Sequence, residues 1–367
     1  MIIVGVICEY NPFHNGHRHH LDMIRRELGE CVIICCMSGS FTQRGEIACL
    51  PPTERTRAAL LHGADVVFEL PVLHTVRSAE YYARGGVGLL DSLGICDYLS
   101  FGCEDVRLLE ECYGRGTEMN LKRSLAEGSS YAKAYGLPNL PNLILGVEYL
   151  RALDNLNSGM KPLPIARIQS DRVKSASELR NMLRSGDKVS EFVPTEIDTS
   201  MLRFTETLDT LLLGMLRGSS PEEVRETLDV SEGLENLIYR HAFRASSRGE
   251  LIHLVKSKRY TYTRISRILT QFTLGITKRS VENIIVSQYA RLLGFCESAG
   301  PILKHLQKNS IVRIITKPSV MKNSPLFRLD AKAASIAALA SSDKAHSIFE
   351  ESPIIQGRSN ASALNPP

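Results

Sequence analysis

The chain has 367 residues, 43% of them hydrophobic and 23% charged, the make-up of an ordinary folded protein long enough for two domains and a sizeable core. Its net charge of +4 hides an asymmetry, because Asn236 to Pro325 holds sixteen Lys or Arg against three Glu, a surplus of +13 that leaves −9 for the rest. No apolar stretch reaches the ~20 residues of a membrane span and the first apolar run lacks the basic flank of a leader, while nine scattered cysteines without a Cys-x-x-Cys pair predict reduced thiols and a cytoplasmic, membrane-free protein.

The first predicted element is Ile2–Cys8, a continuous apolar run that reads as a buried parallel strand. It runs into Glu9-Tyr10-Asn11-Pro12-Phe13-His14-Asn15-Gly16-His17, after which a helix is predicted over His17–Leu28 with Leu21, Ile24 and Leu28 at core-facing spacing. Free N–H groups and the positive dipole end of that helix predict a phosphate cradle. Gly16 would let the backbone approach a phosphate, and His14 and His17 are the candidate catalytic donors to charge that builds on an α-phosphate as pyrophosphate is displaced. By composition alone a His-x-Gly-His has a chance probability of roughly 0.02. The alternatives are a turn with solvated histidines, or a metal site extended by His19 and His20. No cysteine pair at ligand spacing accompanies them, and no metal ligands are assigned.

Further strands are predicted at Cys31–Met37, Val66–Leu70, Tyr98–Gly102 and Ile165–Ile168, with helices at Thr53–Leu61, Ser78–Leu93 and Ile144–Leu153 between them. This alternation predicts an α/β domain with a doubly wound parallel sheet over residues 1–195. Ligands of such sheets sit at the carboxyl ends of the strands, which is where Glu9–His17, Ser38-Gly39-Ser40, Gly102 and Arg167 fall. Lys174-Ser175-Ala176-Ser177-Glu178-Leu179-Arg180 opens one more helix. Its start is either a plain N-cap or, paired with the first motif, a site where Ser175, Ser177 and Arg180 hold the β- and γ-phosphates.

From about Thr205 helical patterns take over, with Ser220-Pro221-Glu222-Glu223 and Ser247-Arg248-Gly249-Glu250 as helix starts. The expectation is an all-α C-terminal domain over 196–351 and a loosely held end over 352–367. Within the basic window, Lys256 to Arg267 interleaves cations with Tyr260 and Tyr262, so that Lys256, Lys258, Arg259, Arg264 and Arg267 become candidate RNA contacts. A helix with Ile265, Ile268 and Leu269 in the core and its arginines merely solvated is the plainer alternative. Both can hold on opposite faces.

The residues from Gly5 to His17 resemble the (His/Thr)-x-Gly-His nucleotidyltransferase superfamily, and Ser175–Arg180 is similar to its second phosphate motif. Met37–Glu46, Gly63–Pro71, Ser78–Tyr81 and Tyr98–Gly102 together resemble the bacterial tRNA(Met) cytidine acetate ligase family. The resemblance implies a nucleotidyltransferase-like Rossmann fold in a ligase that makes acetyl-adenylate from ATP and acetate. It further implies transfer of the acetyl group to N4 of the wobble cytidine of elongator tRNA(Met). It places ATP on Ile7, Cys8, Glu9, Tyr10, Asn11, Pro12, Phe13, His14, Asn15, Gly16, His17, Arg18, His19 and His20, with Gly102, Asn142 and Arg167 completing the pocket. Mg²⁺ is expected on the phosphates. Two rival readings exist. An adenylyltransferase for a small phosphorylated cofactor precursor leaves the +13 window unexplained, and a non-catalytic RNA-binding protein leaves both phosphate motifs unexplained.

Overall fold

The computed structural model describes residues 1–114, 140–168, 170–171, 173–231, 233–282, 288–341 and 346–357. In chain order the first half runs β1 (Ile2–Cys8), α1 (Asn15–Leu28), β2 (Cys31–Ser38), α2 (Pro52–Leu61), β3 (Val66–Leu70), α3 (Val72–Thr75), α4 (Ala79–Ser92), β4 (Tyr98–Cys103), α5 (Val106–Gly114), α6 (Pro141–Asn155), β5 (Lys161–Ala166) and α7 (Ala176–Ser185). The second half adds α8 (Asp209–Arg217), α9 (Pro221–Arg225), α10 (Leu234–Ala242), α11 (Arg248–Val255), α12 (Tyr262–Leu274), β6 (Tyr289–Cys296), α13 (Gly300–Asn309), β7 (Arg313–Ile315), α14 (Pro325–Ala338) and β8 (Ile354–Gln356).

Strands β5-β4-β1-β2-β3 are parallel neighbours in that order. The side-chain alternation of a strand splits β1 between two cores. Val4, Val6 and Cys8 join Leu21 and Ile24 of α1 and Leu60 of α2 on one face. Ile3 and Ile7 join Val87 and Leu90 of α4 and Leu143 and Val147 of α6 on the other. Helices therefore cover both faces of the expected parallel sheet. Leu143 is fully buried in that second core.

Two strand expectations are corrected. The last parallel strand is Lys161–Ala166 rather than Ile165–Ile168, and its Pro162 and Pro164 are tolerated because β5 lies at the sheet edge. The sheet also continues past β3 with β6, which pairs antiparallel to it, and with β7 and β8, which pair with β6. The sheet thus takes strands from both sides of residue 195. Part of the expected loose end forms β8, and residues from 358 onward lie outside those described.

Helices α8 and α10 to α12 enclose a separate apolar core of Leu216, Ile238, Leu251, Ile265, Ile268 and Leu269. The loop between β2 and α2 is among the segments that link it to the α/β layer. Between β2 and α2, Arg44 O accepts from Ser266 Oγ at 2.8 Å, and Gly45 O accepts from Arg248 Nη2 at 2.6 Å. Gly45 has φ +74°, and a Cβ there would lie 2.7 Å from the Arg267 Cα, so only glycine lets this loop press against α12. Among the described residues no helix is long and apolar enough to cross a membrane.

Candidate active site

A cleft of about 1480 Å³ opens at the carboxyl ends of β1, β4 and β5. Of the residues assigned to ATP from the sequence, Ile7, Cys8, Glu9, Tyr10, Asn11, His14, Gly16, His17, His19, His20, Gly102, Asn142, Arg167, Ser175, Ser177 and Arg180 line it. Four do not. Pro12 and Phe13 are buried, Phe13 packing on Tyr10 with ring centroids 4.8 Å apart. Asn15 turns to Glu191 O at 2.9 Å, and Arg18 pairs with Asp22 at 3.8 Å on the exposed face of α1.

The start of α1 departs from expectation in an instructive way. Its first N–H groups are already taken: Asn15 N donates to Phe192 O, Gly16 N to His14 Nδ1 at 3.1 Å, and His17 N to His14 O. The donors that this turn leaves available are thus side chains rather than the first amides of the helix. His14 is the N-cap, and it forms a capping box with His17, whose Nδ1 accepts from the His14 N–H at 3.3 Å. A ring nitrogen that accepts cannot carry the proton of a neutral imidazole, so in both rings the proton sits on Nε2. The two rings stack with centroids 3.7 Å apart. Gly16 lines the cleft, and a Cβ there would lie 3.0 Å from His14 and 3.2 Å from Val173.

Burial and then the Arg167 charge push the His14 pKa down to about 4; burial first, then His14, Arg167 and His20 hold His17 well below the usual histidine value. His20 is likewise lowered to about 4 by burial, His19 and Arg167. It also has a fixed tautomer. The single hydroxyl proton of Ser100 goes to Leu163 O, so His20 Nε2, 2.9 Å from Ser100 Oγ, must be the donor. At neutral pH the site therefore presents uncharged N–H donors beside the exposed cation Arg167, which follows directly on β5.

The floor is built by groups the sequence reading did not single out. Arg55, 1% exposed, donates to the carbonyls of Leu50, Glu9, Ser38 and Gly39 and so fixes the ends of β1 and β2 together. Glu104 accepts from both the backbone N–H of Asn142 and its side-chain Nδ2, at 3.2 and 2.7 Å, and sets that carboxamide at the rim. Only its place two residues after Gly102, at a strand end, hinted at it. Arg55 looks from sequence like an ordinary helix-surface charge.

The second motif reaches the same cleft with its parts redistributed. The Ser175 hydroxyl donates to Glu178 Oε2 at 2.7 Å and caps α7 by accepting from Glu178 N, so the helix employs this side chain that the sequence assigned to phosphate. Arg180 donates to Asn11 O at 2.8 Å and to Ser177 Oγ at 3.1 Å, joining α7 to the first loop. Gly102 stays open, as a Cβ there would meet only Arg167 Cγ at 3.6 Å.

Two of the five basic residues picked for RNA, Lys256 and Arg267, line this same cleft, together with Tyr262. Lys258 and Arg259 are exposed beside them. Arg264 is engaged within the protein, over the Tyr260 ring at 5.2 Å and on Ser231 Oγ at 2.8 Å.

A parallel sheet with paired histidines at the first strand–helix turn, an arginine beyond the edge strand and a second helix start on the same cleft defines a nucleotidyltransferase. Comparison with known proteins agrees. A family model described as HIGH Nucleotidyl Transferase matches residues 1–352. A tRNA(Met) cytidine acetate ligase of Clostridium kluyveri is 37% identical, covering 91% of this chain and 93% of its own, and that of Acetivibrio thermocellus is 34% identical over 87% and 89%. The crystal structure of Thermotoga maritima TmcAL bound with alpha-thio ATP superposes with a TM-score of 0.90 at 29% identity, covering 98% of this chain and all of that one. The chain belongs to the HIGH nucleotidyl transferase family and, within it, to the tRNA(Met) cytidine acetate ligases.

Proposed function

We propose that this chain activates acetate with ATP and passes the acetyl group to N4 of the wobble cytidine of elongator tRNA(Met). One observation carries the reading: neutral Nε2–H donors on His14 and His17 share one cleft with Arg167 and with Lys256 and Arg267 of the basic helices. In the first step an acetate oxygen attacks the α-phosphorus of ATP, a P–O bond forms, and the bond to pyrophosphate breaks. Acetate is already ionised at neutral pH and needs no base. Positioned Nε2–H groups take up charge that grows on the α-phosphate oxygens, which stabilises the transition state more than bound ATP. Arg167 and Ser177 suit the phosphates in the ground state.

In the second step the cytidine N4 attacks the acetyl carbon, the C–N bond forms, AMP leaves with the C–O electron pair, and N4 loses one proton. Mg²⁺ bound with the nucleotide would supply charge neutralisation on the phosphates. Among the described residues no group of three His, Cys, Asp or Glu is placed to hold an ion, so the fit is to a metal carried by the nucleotide rather than by a protein cage.

Pyrophosphate release from ATP, followed with acetate alone and with acetate plus tRNA, tests the reading. Acetate-dependent release and labelled acetyl on tRNA are expected. Release only with a phosphorylated cofactor precursor would instead favour a small-molecule adenylyltransferase, and no release at all a non-catalytic RNA-binding protein.

A further inference from the structure

The basic window contains two tyrosines, and the structure separates them. Tyr260 is 6% exposed, with the Arg264 guanidinium over its ring. Tyr262 is 38% exposed and lines the cleft that holds the ATP loop. It is the first residue of α12, directly after Thr261, whose hydroxyl caps the helix by accepting from Arg264 N. Its ring meets His253 in a T-shaped contact, centroids 6.1 Å apart and planes at 62°, and remains part of the cleft lining. Lys256 and Arg267 line the same wall.

This ring is also held in place relative to the ATP loop. Ser266 and Arg248 tie α12 to Arg44 O and Gly45 O, and the neighbouring Gln43 N–H donates to Glu9 at the end of β1. A base whose exocyclic amine must reach an acyl-adenylate has to leave its own stack first, and an aromatic face is what compensates for that loss. Cations beside the ring suit the flanking phosphates.

We propose that Tyr262 is the platform on which the acceptor cytosine stacks, a substrate-positioning residue for the acetyl-transfer step; the proposal rests on the tRNA-acetylation reading above. Full-length Tyr262→Ala and Tyr262→Phe proteins test it in two assays, acetate-dependent ATP–pyrophosphate exchange without RNA and acetylation of the tRNA with labelled acetate. Removing the ring is expected to lower kcat/KM for tRNA by roughly 10–100-fold, the worth of one base–aromatic stack, with Tyr262→Phe within about threefold of wild type. Exchange should keep its KM for ATP in both variants, which also reports that the variants are folded. Stacking carries no charge, so the salt dependence of tRNA binding should have the same slope in Tyr262→Ala as in wild type, whereas Lys256→Ala should flatten it by ~0.7–0.9.

Three results overturn the proposal alone: unchanged tRNA kinetics in Tyr262→Ala, an equal loss in Tyr262→Phe, which would make the hydroxyl the active part, or a raised KM for ATP, which would make the ring a partner of adenine. A wild-type protein that exchanges pyrophosphate with acetate yet acetylates no tRNA overturns the functional reading and this proposal together.

Discussion

The backbone N–H of Gln43 donates to Glu9 Oε1 at 2.7 Å, and this bond couples the loop at the end of β1 to the loop on which α12 rests. Burial raises the Glu9 pKa, opposed by the Gln43 N–H and by the charges of Arg180, Arg44 and Arg55. A single carboxylate thus joins the turn that carries the histidines to the part of the molecule that carries the basic window.

His17→Ala is expected to lower acetate-dependent pyrophosphate exchange by ~10² or more while ATP still binds, because a donor engaged mainly in the transition state affects rate before affinity. Exchange kinetics beside equilibrium nucleotide binding check this. Near wild-type exchange would remove His17 from the chemistry.

Loss of Arg55 should be felt in the fold before the chemistry. Arg55→Met leaves the carbonyls of Leu50, Glu9, Ser38 and Gly39 without their donor, and removal of a buried charged hub of this kind costs about 3–5 kcal/mol. Urea titration measures the cost. A variant within 1 kcal/mol of wild type would mean that water replaces the guanidinium in full.

The pH dependence has a definite sign. His14, with a folded pKa of about 4 against an ordinary 6.5, refuses a proton that the unfolded chain accepts. Its contribution is whole above pH 6.5 and is lost as pH falls toward 4. Between pH 7 and pH 5 this amounts to about 2 kcal/mol. Asp330, raised to about 7 by burial and then by Glu69, works in the opposite sense. Subtracting the unfolding free energies of His14→Gln from those of wild type at the two pH values isolates the histidine, and an unchanged difference would show that its ring is solvated.

Gly45→Ala should uncouple the two halves of the site. The new Cβ would meet backbone atoms of Arg267 at 2.7 and 2.8 Å and Ser266 O at 2.9 Å, at a φ of +74° that disfavours any side chain. A stability loss of about 1–3 kcal/mol is expected, with tRNA acetylation reduced more than pyrophosphate exchange. Equal losses in the two assays would place the effect in the α/β layer instead.

How much of this was legible before folding differs by residue. The first strand and the His14-Asn15-Gly16-His17 turn stood out because an apolar run followed by a helix start has a local signature. Strand β5 was misplaced because Pro162 and Pro164 argue against a strand unless its edge position is known, and edge position is a tertiary fact. Strand β6 hid inside a basic window, its Arg291 reading as a surface cation although it is 3% exposed and paired to Glu69 at 2.6 Å. Ser175 was assigned to phosphate because composition cannot tell a free hydroxyl from one donated to Glu178. Tyr262 and Tyr260 are equivalent in sequence and become different only in the fold, where Tyr260 is buried under Arg264 just ahead of α12 and Tyr262 opens the helix at the cleft.

The antiparallel pairing of β3 with β6 bears on how the chain is made. A ribosome that has released residue 195 has delivered β1 to β5 and both phosphate motifs, yet β3 still presents a bare edge and Glu69 lacks its guanidinium partner. Arg291 emerges only about a hundred residues later, roughly five to twenty seconds at ordinary elongation rates. Through that interval the central layer of the enzyme has an open strand beside an uncompensated carboxylate, the kind of edge on which nascent chains associate, so this protein depends on its last third to close what its first half begins.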